Sequence, residues 1–410
     1  MPDTGGSPKL KVSILVFIGI RGATRWFRLV FYSDMSEAFV RAAAGELSEW
    51  LVTAAYPMWS SHGFDPVHGG FHESLDRDGR PRYEPRRIRV QARQVYSFAR
   101  APSMGWTGDA AKLVRAGWSY IRAHYRRPDG LYRTLVDPDG TALDDRALLY
   151  DQTFVLLALA ESRKVLGPEA DLTREAVHLR QVLVERLQRP DGGFSSGVPD
   201  ALPLLANPHM HLLEACLAWA ESDPDPAWRG LVDPICALTL GRLVDPNTGA
   251  IREQFGADWT ALGSDVGPAV EPGHLFEWAW LLYRADGGAR GELFRCAERL
   301  VEIAETYGVH SGVGVNALLE DLRLSDGSAR LWVQTERVKA TLYRVRHAGE
   351  PARWASAEAA IRGLQGYLQT PIPGLWHDLL TDRGHFAPGR SPASTFYHIV
   401  CAVAELASLR

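Results

Sequence analysis

Two histidines stand near the starts of apolar helical stretches: His274 in EPGHLFEWAWLLYRA and His398 in SPASTFYHIVCAVAEL. Imidazole titrates near neutral pH, so two of them can give and take protons on one small molecule. Glu277 follows His274 at i+3, on the same helix face, where a carboxylate would fix the tautomer and raise the pKa. Pro272 and Gly273 mark the start of one helix, and Ser394 or Thr395 is the expected N-cap of the other. Taken alone, either histidine is more readily a core or capping residue than a catalyst. The case for chemistry rests on a setting that repeats.

Polar residues open apolar helical stretches at Arg93, Gln152, His211, His274, Glu336 and His398, with intervals of 59, 59, 63, 62 and 62. Glycine turns keep the same period: Gly69-Gly70-Phe71, Gly130-Leu131-Tyr132, Gly192-Gly193-Phe194, Gly249-Ala250-Ile251, Gly312-Val313-Gly314 and Gly374-Leu375-Trp376. Short alternating runs beside them predict small β-hairpins. Each turn is followed by a helix apolar nearly all round, such as DQTFVLLALAE, and then by an amphipathic one, such as REAVHLRQVLVERLQR. The first kind is buried on both sides and the second has one wet face. A lone outer helix at 35–55 starts the series.

Six such units predict an all-α (α/α)6 barrel, with six inner and six outer helices and hairpins at one pole. The competing fold is an open α-solenoid. In the barrel all inner N-termini meet at one pole, where helix dipoles sum and a funnel can hold a ligand.

Other chemistry is weighed against this pole. Arg93 on an inner helix needs a partner, for which Glu336 is one candidate, or it stabilises charge on a sugar oxygen. Asp151, Glu277, Glu336 and Asp378 could supply the paired carboxylates of a glycoside hydrolase, with Asp151 equally a helix cap. His211/Glu214 and His274/Glu277 are i,i+3 pairs that could share a metal only if their helices face closely, so no metal is expected. Tyr96, Tyr150, Trp332 and Trp376 could form an apolar face for a pyranose ring. No phosphate-binding glycine loop or nucleotide fingerprint occurs, and no cofactor is expected.

The 410 residues carry a net charge of −4 and no long basic run, which disfavours a nucleic-acid partner. Cys216, Cys236, Cys296 and Cys401 form no CxxC and are expected as free thiols in a cytoplasmic protein. The apolar run VSILVFIGI at 12–20 is too short for a membrane span and is followed by Arg21, Arg25 and Arg28 rather than a cleavage site. Residues 1–34 are assigned to an N-terminal extension and 35–410 to a single catalytic domain.

The motifs QARQVYSFA, LYDQTFVLLALA, NPHMHLLEA, EPGHLFEWAWLL, WVQTERV and TFYHI, in this order and spacing, resemble the N-acylglucosamine 2-epimerase superfamily. That superfamily also holds cellobiose 2-epimerases, mannose isomerases and sulfoquinovose isomerases. The resemblance runs from about Met35 to the C-terminus. It implies an (α/α)6 barrel with no required metal, and His274 and His398 as acid and base on a ring-opened sugar. It further implies sugar contacts from Arg93, Tyr150, Asn207, His211, Glu277, Trp332 and Glu336. FEWA after His274 is more like the isomerase branch. WVQTERVKA departs from the family in placing Thr335 and Arg337 beside Glu336.

The expected function is aldose–ketose isomerisation, mannose to fructose in type, through a cis-enediolate. The alternatives are a 2-epimerase of an N-acylglucosamine, a free aldose or a disaccharide, a glycoside hydrolase, and a sugar-binding barrel without catalysis. No obvious Arg/Lys cluster at the pole argues for a strongly anionic sugar, although Arg86, Arg87 and Arg89 precede the first inner helix and could serve one. A homodimer is compatible with the sequence, which leaves oligomeric state open.

Overall fold

The structure is a computed structural model and describes residues 23–167, 171–348 and 351–409. The apolar run at 12–20 lies outside them. Among the described residues, no helix is long and apolar enough to cross a membrane. The first helix, α1 (Ala23–Trp50), begins before Met35, so helix reaches into the stretch assigned to the extension. It continues through a π turn, Leu51–Ala55, into α2 (Tyr56–Ser61).

From there inner and outer helices alternate. The inner ones are α3 (Ile88–Arg100), α5 (Leu149–Leu166), α7 (Ala206–Ser222), α9 (Pro272–Asp286), α11 (Leu331–Ala348) and α13 (Ala393–Ala407). Between them come the outer helices α4 (Ala110–His124), α6 (Leu172–Leu187), α8 (Pro226–Leu238), α10 (Glu292–Tyr307) and α12 (Pro351–Leu368). The inner helices pack in cyclic order, each on the next, and α13 packs back on α3. The ring is therefore closed, and the open solenoid is excluded. Patterning explains the two layers. Every residue of α9 from Pro272 to Tyr283 is buried, whereas α10 buries only Ala297, Leu300, Val301, Ile303 and Ala304.

The hairpins make a second closed ring. Arg86–Arg87 pairs antiparallel with Leu135–Val136, Ala147–Leu148 with Gly197–Val198, and Leu204–Leu205 with Gln254–Phe255. Ala329–Arg330 pairs with Leu379–Leu380, and Ser74–Leu75 closes the circle on Ser391–Pro392. A single bridge from Val270 to Leu318 supplies the remaining link.

This ring also satisfies helix N-termini that carry no side-chain caps. The first N–H groups of α3, α5, α7, α11 and α13 donate to the carbonyls of Thr134, Ser196, Glu253, Asp378 and Glu73, at 2.9–3.0 Å. Ser394 and Thr395 are accordingly not caps but lie within the first turn of α13.

A side-chain clamp repeats as well. Gln152 accepts from Tyr132 N–H at 2.9 Å and donates to Tyr132 C=O at 2.8 Å. Gln91 does the same to Phe71, and Gln334 to Gly314. In the sixth unit Ser391 takes this part with Trp376. Each clamp pairs both polar groups of a buried hairpin residue, which would be costly left unmade. The turn glycines allow the approach: Gly130 has φ 86°, a conformation that other residues rarely adopt.

Candidate active site

The clamp corrects the register of the repeat. Arg93, His211, Glu336 and His398 are each the sixth residue of their helices, but Gln152 is the fourth of α5 and His274 the third of α9. The true counterparts at the sixth position are Phe154 and Glu277. Hairpin lengths differ between units, so a spacing of about 60 cannot resolve a slip of two or three residues.

The pole holds a cavity of about 340 Å³. Its walls include the second residues of five inner helices (Arg89, Tyr150, Asn207, Trp332, Ser394) and the sixth residues of four (Arg93, His211, Glu277, His398). Positions two and six are i,i+4 neighbours, so they share the face turned to the axis. His274 and Thr395 enter at the third position, and Glu271, Arg87 and Arg330 complete the mouth.

Trp332 lies between the two histidines, its ring 5.1 Å from that of His274 and 5.8 Å from that of His398. Gly273 makes room for it, because a Cβ there would sit 2.5 Å from the Trp332 ring.

Each imidazole leans on a carboxylate through Nδ1. For His274 the partner is Glu253 at 2.9 Å, with Glu271 at 3.7 Å, and not Glu277 as the i+3 spacing suggests. Glu253 comes from the hairpin beneath α9, across which the helix face cannot reach. For His398 it is Glu336, at 2.8 Å.

The environments drive the two rings apart. Burial opposes charge on His274, but Glu253, Glu271 and Glu277 outweigh it and hold its pKa well above the ordinary value. Burial together with Arg93, Lys339 and His211 pushes His398 well below. Asn207 faces Nε2 of His274 at 3.2 Å. With His274 protonated at both nitrogens, that amide must present its oxygen, Oδ1, an atom otherwise without a partner.

Glu336 does not touch the cavity but stands behind His398. Burial and the neighbouring Glu277 hold its pKa well above the ordinary carboxylate range, and Lys339, in direct contact with it, opposes them only in part. Lys339 is fully buried, 3.7 Å from Glu277, and sits 4.0 Å over the Trp280 ring. Nearby, His211 pairs with Glu214 at 3.1 Å, and Tyr397 donates its hydroxyl to the same carboxylate.

Among the described residues Arg93 is bonded to no carboxylate. It donates to the Tyr150 hydroxyl at 2.8 Å and lies 4.0 Å over the Phe154 ring. Its charge is thus held by aromatic faces and left available to the cavity.

Of the other expected residues, Trp376 is not brought into this cavity. It is 2% exposed and stacked 4.8 Å from Trp59 and 5.8 Å from Phe396. Tyr96 lies deeper, against Tyr397. Arg86 is a structural residue, bound to Asp65 and the Gly69 carbonyl, whereas Arg87 and Arg89 line the mouth.

The carboxylates suggested for hydrolysis are committed elsewhere. Asp151 holds Arg89 and Thr134, and Asp378 meets Thr395 and Arg330. Glu277 and Glu336 flank Lys339, and of these four carboxylates Glu277 lines the cavity.

Three groups bring metal-ligating atoms within 4.8 Å of one another: His211/Glu214/Glu277, Glu253/Glu271/His274 and Glu277/Glu336/His398. In each, the imidazole Nδ1 already bonds a carboxylate, or Lys339 already supplies the cation. They are better suited as His–carboxylate pairs than as ion sites.

Glu253, Lys339, Phe154 and Tyr397 escaped the sequence reading. A signal for Glu253 existed: the residue two after each turn residue is polar, at Glu73, Thr134, Ser196, Glu253, Asn316 and Asp378.

A family model described as N-acylglucosamine 2-epimerase matches residues 69–402. A protein of Rhizobium meliloti (strain 1021) named mannose-6-phosphate isomerase is 43% identical over 377 residues, covering 90% of this chain and 97% of that one. A crystal structure of D-mannose isomerase superposes with a TM-score of 0.81 at 19% identity, covering 91% of this chain and 98% of the other. Cellobiose 2-epimerase from Spirochaeta thermophila gives 0.80 at 22% identity, covering 90% and 96%. At those identities the two structures establish the fold alone.

Proposed function

Since the chain belongs to the N-acylglucosamine 2-epimerase family, we propose that it interconverts an aldose of the mannose type and the matching ketose through a cis-enediolate. One observation carries this reading: two imidazoles of opposite protonation preference face one cavity from either side of Trp332.

His398 is the base. This role requires Glu336 as a carboxylate, a form that burial and Glu277 disfavour and that contact with Lys339 supports; it then accepts the Nδ1 proton of His398. That leaves Nε2 of His398 unprotonated toward the sugar. It removes the C2 proton, acidified by the C1 carbonyl of the open chain. The electron pair moves into the C1–C2 bond and onto O1.

His274 is the acid. Held protonated by Glu253 and Glu271, it donates to O1 as charge develops there, and Arg93 adds a positive charge. Return of the proton from His398 to C1, with O2 losing its own proton to His274, gives the ketose.

A 2-epimerase is the second reading. It would need His274 to return a proton to C2 on the opposite face, and so to protonate carbon rather than oxygen. Its preference for the charged form, set by two carboxylates, favours the oxygen role. The name of the 43% identical relative supports the same choice. Turnover of a panel of mannose, glucose, N-acetylglucosamine, cellobiose and mannose 6-phosphate, with products separated by chromatography, tests this. Ketose is expected; an epimer as sole product, or hydrolysis, would refute it.

A further inference from the structure

Beside the catalytic cavity lies a second chamber of about 530 Å³, and Arg87, Arg330 and Ser394 line both. We propose that these three residues form a subsite for a tetrahedral oxyanion, the phosphate of a hexose phosphorylated at the end remote from its carbonyl. This rests on the isomerase reading for the placement of C1 and C2 between His274 and His398.

One of the guanidinium groups, that of Arg87, is presented forward by a carboxylate set behind it. Glu73 takes Arg87 through Nε and Nη2 at 2.8 and 2.6 Å, leaving Nη1 unused. The Glu73 side chain is 6% exposed, against 36% for Arg87. Arg330 meets Asp378 only at 3.4 Å, with side chains 44% and 23% exposed. Glu73 is withdrawn behind Arg87, whereas Asp378 lines the second chamber beside Arg330; both guanidinium groups line the two cavities, and an arginine pair is the natural receptor of a phosphate.

Ser394 is the second residue of α13, so the positive end of that helix dipole opens on the same seam. Farther out, Arg77 and Arg390 line the second chamber. A free hexose needs none of this space. A second sugar ring would fill it, but the chamber's large aromatic, Trp376, is buried and stacked with both Trp59 and Phe396, and offers no stacking platform. The donors favour an anion.

The test is calorimetric binding of mannose 6-phosphate and of mannose to the full chain carrying His398→Ala, which stops turnover, alone and with Arg330→Gln or Arg330→Lys added, with the ratio of kcat/KM for the two sugars measured alongside in chains that keep His398. The chain with Arg330 intact is expected to bind the phosphosugar at least tenfold more tightly. Arg330→Gln should lower that preference at least tenfold, and Arg330→Lys should restore part of it. Equal or weaker binding of the phosphosugar, no measurable binding of it at millimolar concentration, or a preference unmoved by Arg330→Gln would overturn the proposal. Because binding is read without turnover, tight binding without ketose formation would refute the isomerase reading while leaving the subsite standing.

Discussion

Nδ1 of His398 and a carboxyl oxygen of Glu336 share a hydrogen bond of 2.8 Å, and neither residue's helix could make that contact alone. One sits on α13 and the other on α11, brought together at the sixth position of each helix by the closure of the ring. The contact fixes which nitrogen of His398 faces the sugar.

Removing either imidazole should stop proton transfer while leaving the barrel folded. His398→Ala and His274→Ala are each expected to lose about 10²–10⁴ in kcat. Steady-state kinetics, with circular dichroism as the folding control, checks this; near-full turnover in either variant contradicts the assignment.

The pH profile should be a broad plateau. His398 works as the neutral base, and its lowered pKa places the acidic limb well below 6.5. His274 works as the protonated acid, and its raised pKa places the alkaline limb well above 6.5. Glu253→Gln removes the leading support of the charged form, so the alkaline limb of kcat/KM should move to lower pH. An unmoved limb would mean that Glu253 only shapes the hairpin.

Lys339 is a positioning residue acting through Glu336. Lys339→Met removes a buried cation that disfavours protonation of His398 and leaves Glu336 uncompensated. The acidic limb should therefore move to higher pH, along with a loss of stability of about 3–5 kcal/mol from breaking a buried pair. A variant that loses stability but keeps its acidic limb would show a purely structural lysine.

The Gln152 clamp can be tested by stability alone. Gln152→Leu leaves the buried N–H and C=O of Tyr132 without partners, at a cost of about 2–4 kcal/mol. Thermal unfolding should show a clear fall in Tm, with KM for the sugar little changed. A Tm equal to the wild type would contradict the clamp.

The barrel was legible because its signals are periodic: apolar inner helices, amphipathic outer ones and a glycine turn per unit. His274, His398, Arg93, Tyr150, Asn207, His211, Glu277 and Trp332 all reach the cavity: the histidines and Arg93 stood out as polar residues opening apolar helices, Glu277 as the i+3 neighbour of His274, Tyr150 and Trp332 as aromatics near the pole, and Asn207 through the family motif. Partners across elements were not legible. Glu253 and Lys339 join the site through a hairpin and a second turn of helix, and such contacts depend on register. Gln152 shows the same limit: its polarity serves the hairpin, not the sugar. Trp376 failed for a related reason, because an aromatic at a turn packs inward as readily as it faces a ligand.

The most direct measurement follows deuterium at C2 of mannose by NMR as turnover proceeds in ordinary water. Enolisation by His398 predicts that deuterium leaves C2 as ketose appears, and is divided between C1 of the ketose and the solvent. It also predicts that His398→Ala retains the label. Deuterium carried wholly to C1 of the ketose with none reaching the solvent, or released by His398→Ala at the wild-type rate, would contradict the two-histidine mechanism.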